Sequence, residues 1–61
     1  MKLQINIEME GAAFVPDPNP ETARILRQLA KGIESYVRTY HEWLLYDING
    51  NKVGTATITE D

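Results

Sequence analysis

Leu3, Ile5, Ile7 and Met9 alternate with Lys2, Gln4, Asn6, Glu8 and Glu10 along the start of the chain. Strict alternation sends the first set to one face of a strand and the second to the other. On a helix the same side chains would be scattered around the whole circumference. The pattern predicts a strand over 2–10, ended by Gly11. The period then changes. Ala23, Leu26, Leu29, Ala30, Ile33 and Val37 recur at steps of three and four, and Ile25 and Tyr36 widen the stripe. Arg24, Arg27, Gln28, Lys31, Glu34 and Arg38 take the other side. This is an amphipathic helix with one face for a sheet. Asn19 is the expected N-cap, Pro20 suits the first helical position, and Glu21 complements the helix dipole. Gly32 weakens the helix by about 1 kcal/mol relative to alanine. Val37, Thr39 and Tyr40 prefer extended chain, so the helix should end between Ser35 and Arg38.

The segments between are equally marked. Residues 12–20 read AAFVPDPNP, and the three alternate prolines keep their predecessors out of helical geometry. Phe14 and Val15 are expected to close one end of the core; an exposed contact patch is the other reading. Residues 41–48, HEWLLYDI, lack clean alternation, as in a strand covered on both faces or meeting a partner. Asp47-Ile48-Asn49-Gly50-Asn51 signals a hairpin in one of two registers. Either Asn49-Gly50 forms a two-residue type I′ turn, or Asp47 opens a type I turn and Gly50 takes the left-handed position after it. The β-branched run 53–59 is the last strand, with Gly54 marking a bulge or a close backbone approach.

These elements predict a single α+β domain over 1–61, a two-layer βαββ sandwich with a three-stranded, mainly antiparallel sheet and one helix on one face. The helix should cover Leu3, Ile5, Ile7 and Met9. Gln4, Asn6 and Glu8 should share the other face with Thr55, Thr57 and Thr59. An antiparallel pairing of the first and third strands is preferred over a parallel pairing of the first and second. Either order leaves two sheet edges open to another subunit.

Size and charge narrow the picture. A chain of 61 residues buries only about 60% of its unfolded surface. Its core alone supplies roughly 3–5 kcal/mol. Cysteine is absent, so no disulfide adds to this, and His41 is the one histidine, so a zinc site is not expected. The expected staple is another copy of the chain. The net charge of −3 opposes broad nonspecific binding to nucleic acid or anionic membrane. No apolar run approaches the roughly 18 residues of a membrane span. The alternating start does not read as a signal peptide, so the expected location is the cytoplasm of the host cell.

Catalytic chemistry has little to build on. Serine is represented by Ser35 alone, and its spacing from His41 supports no triad. Asp47, Asn49 and Asn51 imitate the first ligands of a calcium loop, but Lys52 and Ile58 stand where that loop needs glycine and glutamate. Neither a cofactor nor a catalytic residue is expected. Arg24, Arg27 and Lys31 share a side of the helix and form a secondary basic stripe for phosphate or an acidic surface. Tyr36, Tyr40, Trp43 and Tyr46 crowd one short stretch. Core filling accounts for one or two of them; the rest suit an interface, where tyrosine and tryptophan are enriched. Tyr36, Arg38, Tyr40, Trp43 and Tyr46 are the expected binding surface.

The alternating first strand, the Glu10-Gly11-Ala12-Ala13-Phe14 stretch with its prolines, the helix ETARILRQLAKGIE and the hairpin DINGNKVG together resemble a recurring group of small proteins encoded by bacteriophages and prophages. The resemblance is most specific at Ala23-Arg24-Ile25-Leu26-Arg27 with Leu29-Ala30, and from Asp47 to Gly54. It departs between helix and hairpin, where Tyr36 to Trp43 replaces a shorter, more polar stretch. It implies a phage context and carries over no functional residue. The expected function is that of a non-enzymatic phage accessory protein that acts by binding, as a homo-oligomer, and interferes with a host defence or another host process. The partners expected are itself and a host protein or small nucleotide, with no sequence-specific DNA and no membrane. The alternatives are an oligomeric sponge for a small nucleotide signal and a structural or assembly protein of the virion.

Overall fold

The computed structural model describes residues 1–35 and 42–60. They form β1 (Lys2–Ile7), a single 3₁₀ turn (Ala12–Phe14), α1 (Asn19–Ser35), β2 (Glu42–Tyr46) and β3 (Lys52–Thr59). The sheet order is β1-β3-β2 and both pairings are antiparallel. The βαββ architecture and the preferred strand order are therefore both present. The first two strands are shorter than the patterns that announced them, and β3 gains Lys52 at its start; β1 stops at Ile7, although the Glu8 amide still donates to the Val53 carbonyl at 2.8 Å.

The register sorts the two faces. Leu3 lies opposite Ile58, Ile5 opposite Ala56 and Trp43 beyond it, and Ile7 opposite Gly54 and then Leu45. These positions share the helix side. The far side carries Lys2, Gln4 and Asn6 across from Thr59, Thr57 and Thr55, as expected for that face. The register slips by one between Leu45 and Tyr46, which leaves Val53 as the additional residue on β3. Next to this irregularity Gly54 meets the strand beside it: a Cβ there would collide with the Asn6 carbonyl and press on the Ile7 Cα at 3.0 Å. Both sequence readings of Gly54, bulge and close approach, describe the same corner.

The helix begins one residue earlier than its cap signals place it. The Thr22 amide donates to the Pro18 carbonyl at 3.0 Å, so Pro18 caps and Asn19 is already helical. Asp17 Oδ1 accepts from the Asn19 amide at 3.0 Å, taking one of the donors that a helix start leaves open. The described helix runs to Ser35, the near end of the expected range. The hairpin adopts the second register. The Gly50 amide donates to the Asp47 carbonyl at 3.0 Å and Gly50 has φ 84°. Among the described residues only Gly11 besides it has a positive φ, whereas a type I′ turn would require one at Asn49. The Asp47 Oδ1 accepts from the amides of Asn49 and Asn51, both at 2.9 Å. The side chain that imitated a calcium ligand thus orders its own turn.

The core is Phe14, Ile25, Leu29, Leu45 and Ala56, with Ile7, Ala13, Trp43 and Val53 packed at its border. This corrects one expectation. The helix does not cover the whole alternating face of β1: Leu3 is 48% exposed, Ile5 39%, and Met9 is also half exposed. Three strands at ~4.8 Å spacing present a face roughly 14 Å wide, against about 10 Å for one helix. The helix packs against β2, so β1 is the strand left bare. Phe14 enters the core through the 3₁₀ turn, whereas Val15, after it, is exposed.

Candidate functional site

Two surfaces lie at the open edges of the sheet. The first lies on the β2 side, where α1 and β2 enclose an open cleft of about 200 Å³. Ile25, Leu29 and Leu45 form its floor, Gln28 and Gly32 its helical wall, and Trp43 and Tyr46 its strand wall. The alternation hidden in the sequence of β2 is now visible. Trp43 and Leu45 turn toward the core, while Leu44 and Tyr46 stay about half exposed. Ile48, at the tip of the turn, is 69% exposed. Leu44 and Tyr46 therefore line an apolar rim on the edge strand β2, while Ile48, in the turn, faces the helix start beside Val15, Pro20 and Arg27. Gly32 backs the Trp43 ring, with room for a Cβ at 3.7 Å.

Of the expected binding surface, Tyr36, Arg38 and Tyr40 fall outside the described residues, as does His41. Trp43 is partly buried and belongs to the border of the core, which places it among the aromatics that fill space. Tyr46 is exposed. Leu44 joins it at the cleft, and it did not stand out in the sequence. Its signal was the spacing of two from Leu44 to Tyr46, obscured by the adjacent Leu45.

The basic stripe is also revised. Arg24 faces inward to Glu21, with Nε donating to Oε1 at 2.8 Å and Nη2 to Oε2 at 2.9 Å. Nη2 also reaches the Tyr46 carbonyl at 3.2 Å. A guanidinium engaged in this two-pronged pair is not available to phosphate, and only Arg27 and Lys31 remain on the stripe as exposed cations. Glu21 is buried and its Oε2 accepts from the Ile48 amide at 2.8 Å. Sequence reasoning saw in Glu21 only a partner for the helix dipole. In the fold it ties the helix start to the β2–β3 hairpin.

The Arg24 hydrogen bond holds the Glu21 carboxyl below its ordinary value; desolvation opposes this, and the Ile48 amide assists it. A folded value below the unfolded one means that the carboxylate stabilises the fold fully above the ordinary value of 4.5. That contribution is lost as pH falls through the folded value. Glu21→Gln should therefore lower the melting temperature at neutral pH. The gap from wild type should close on acidification below that range. A gap that stayed constant from neutral to acid pH would show that the charge of Glu21 does not support the fold.

The Ser35 hydroxyl donates to the Lys31 carbonyl at 2.7 Å and is engaged within its own helix. Among the described residues no group of three or more His, Asp or Glu side chains could hold a metal ion. No described helix is long and apolar enough to cross a membrane. No family model matches the chain, and neither a curated protein nor a solved structure matches it.

Proposed function

We propose that this chain is a phage accessory protein that acts by binding, as a homo-oligomer, and interferes with a host defence or host process through the β2 rim. The observation that carries the reading is the pair Leu44 and Tyr46, exposed beside an apolar cleft on an edge strand. An open strand edge offers unpaired backbone groups, and a partner strand laid along it would place side chains in the neighbouring cleft. The cleft holds about 200 Å³. Small-molecule sites start near 300 Å³, so a single inserted side chain suits it better than a nucleotide. This favours a protein partner over the nucleotide sponge. The phage context rests on the resemblance of the helix and hairpin motifs.

The test compares tagged wild type, Leu44→Ser/Tyr46→Ala and Arg27→Ala after expression in host cells. Wild type and Arg27→Ala should retain the same host protein. The rim variant should bind it about 30-fold more weakly, the effect of removing an interface hot spot. Its far-UV circular dichroism should stay that of wild type. Equal retention by all three folded proteins would remove the rim from the binding surface. A thermal shift with nucleotides but no retained protein would move the assignment to the sponge.

A further inference from the structure

The second surface is the opposite edge of the sheet. We propose that two copies of this chain pair through β1, antiparallel about a two-fold axis at Ile5, to make one continuous six-stranded sheet. This deepens the self-association in the reading above. It uses the edge that the partner rim does not use, so either can fail alone.

The hydrogen-bond parity of β1 makes its edge competent. In an antiparallel ladder, alternate residues turn both their N–H and C=O toward the same neighbour. The Glu8 amide points to β3, bonded to Val53. Glu8 and Val53 continue the register that pairs Lys2 with Thr59 and Asn6 with Thr55. Lys2, Gln4 and Asn6 therefore direct their backbone groups to β3. Leu3, Ile5 and Ile7 direct theirs outward, along an edge with no described neighbour.

A two-fold axis at Ile5 uses all three. Ile5 lies opposite its own copy, and Leu3 opposite Ile7 of the second copy. Their apolar side chains fall on one face and their outward backbone groups meet. On the other face Lys2 lies opposite Glu8 of the second copy, and Gln4 opposite Asn6. Charge selects this register. Moving the axis to Gln4 places Lys2 opposite Asn6 and leaves both ends without an ion pair. Moving it to Asn6 places Lys2 opposite Glu10, two residues past Glu8, whose amide still holds the β3 ladder.

The uncovered apolar surface is continuous with this edge. Leu3 and Ile5 lie bare on the helix side. The Thr22 hydroxyl is 3.2 Å from the Met9 sulfur, so the Thr22 flank of α1 faces the β1 side. Leu26 and Ile33, four and eleven residues on, share that flank at 100° per residue and are also exposed. Leu3, Ile5, Leu26 and Ile33 thus present one exposed apolar strip beside the β1 edge, which a second copy would cover.

The full chain offers a clean test because it contains no cysteine. Sedimentation equilibrium should give twice 6.9 kDa at sub-millimolar concentration. Ile5→Pro should sediment as a monomer with an unchanged circular dichroism spectrum, because it deletes an outward N–H that the single chain does not use. Ile5→Cys should form a disulfide-linked dimer under mild oxidation, since directly opposed residues lie about 5.5 Å apart. Leu3→Cys should not, because its two copies sit about 14 Å apart along the strands. A wild-type monomer would overturn the proposal. So would a dimer that Ile5→Pro leaves intact, or one in which Leu3→Cys cross-links and Ile5→Cys does not. Should Ile5→Pro unfold, the two cysteine variants decide by themselves.

Discussion

Gly54→Ala is expected to leave the chain largely unfolded at 25 °C. The added Cβ meets the Asn6 carbonyl and the Ile7 Cα. Both are backbone atoms in the strand paired to β3, and neither can rotate away as a side chain could. The ladder between β1 and β3 must open at its Ile7–Gly54 end, beside the register slip with β2, a cost of about 3 kcal/mol. The whole domain has roughly 3–5 kcal/mol to lose. Urea denaturation followed by circular dichroism should show little or no native baseline. Gly32→Ala is the matched control. Its Cβ would stand 3.7 Å from the Trp43 ring, an ordinary contact. In a helix it should stabilise the protein by up to about 1 kcal/mol. If Gly54→Ala melts with wild type, the close approach of β1 to β3 is wrong. That would also remove the parity on which the β1 edge pairing stands.

Phe14→Ala carries the second large effect. Phe14 is 3% exposed, inside a core that has five buried apolar members among the described residues. Truncating a buried phenylalanine costs about 3–5 kcal/mol, comparable with the entire stability of such a domain. Val15→Ala, one residue on, removes a side chain that is 66% exposed. It should change stability by no more than about 0.5 kcal/mol. Thermal melts of the two variants should separate widely. Similar melts would mean that the 3₁₀ turn does not seat Phe14 in the core.

These two positions also show where sequence reasoning reached its limit. Gly54 was recognisable because a glycine inside a β-branched run has few reasons to be there. The atom it makes room for belongs to a strand about fifty residues earlier, and no local pattern names it. Phe14 and Val15 stood in the same proline-bounded segment with equal claims on the core. The 3₁₀ turn chose between them by rotating the first inward. At the candidate site, Tyr46 was legible as an aromatic beyond the needs of the core, and it is exposed. Leu44 was not, because a run of apolar residues conceals which of them face inward. Arg24 was misplaced on the basic stripe because helical spacing cannot reveal that its neighbour Glu21 is buried beneath the hairpin.

Period two in residues 2–10, periods of three and four from Ala23 to Ile33, and the turn chemistry from Asp47 to Asn51 were enough to determine the element order, the α+β class and the division of polar from apolar faces. Local sterics and hydrogen bonding set these features, and they act over a few residues. Tertiary structure alone decided that α1 lies toward β2, that β1 keeps an uncovered apolar face, and that Glu21 clasps Ile48. Each depends on groups distant in sequence meeting in space, and one helix is too narrow to shelter three strands.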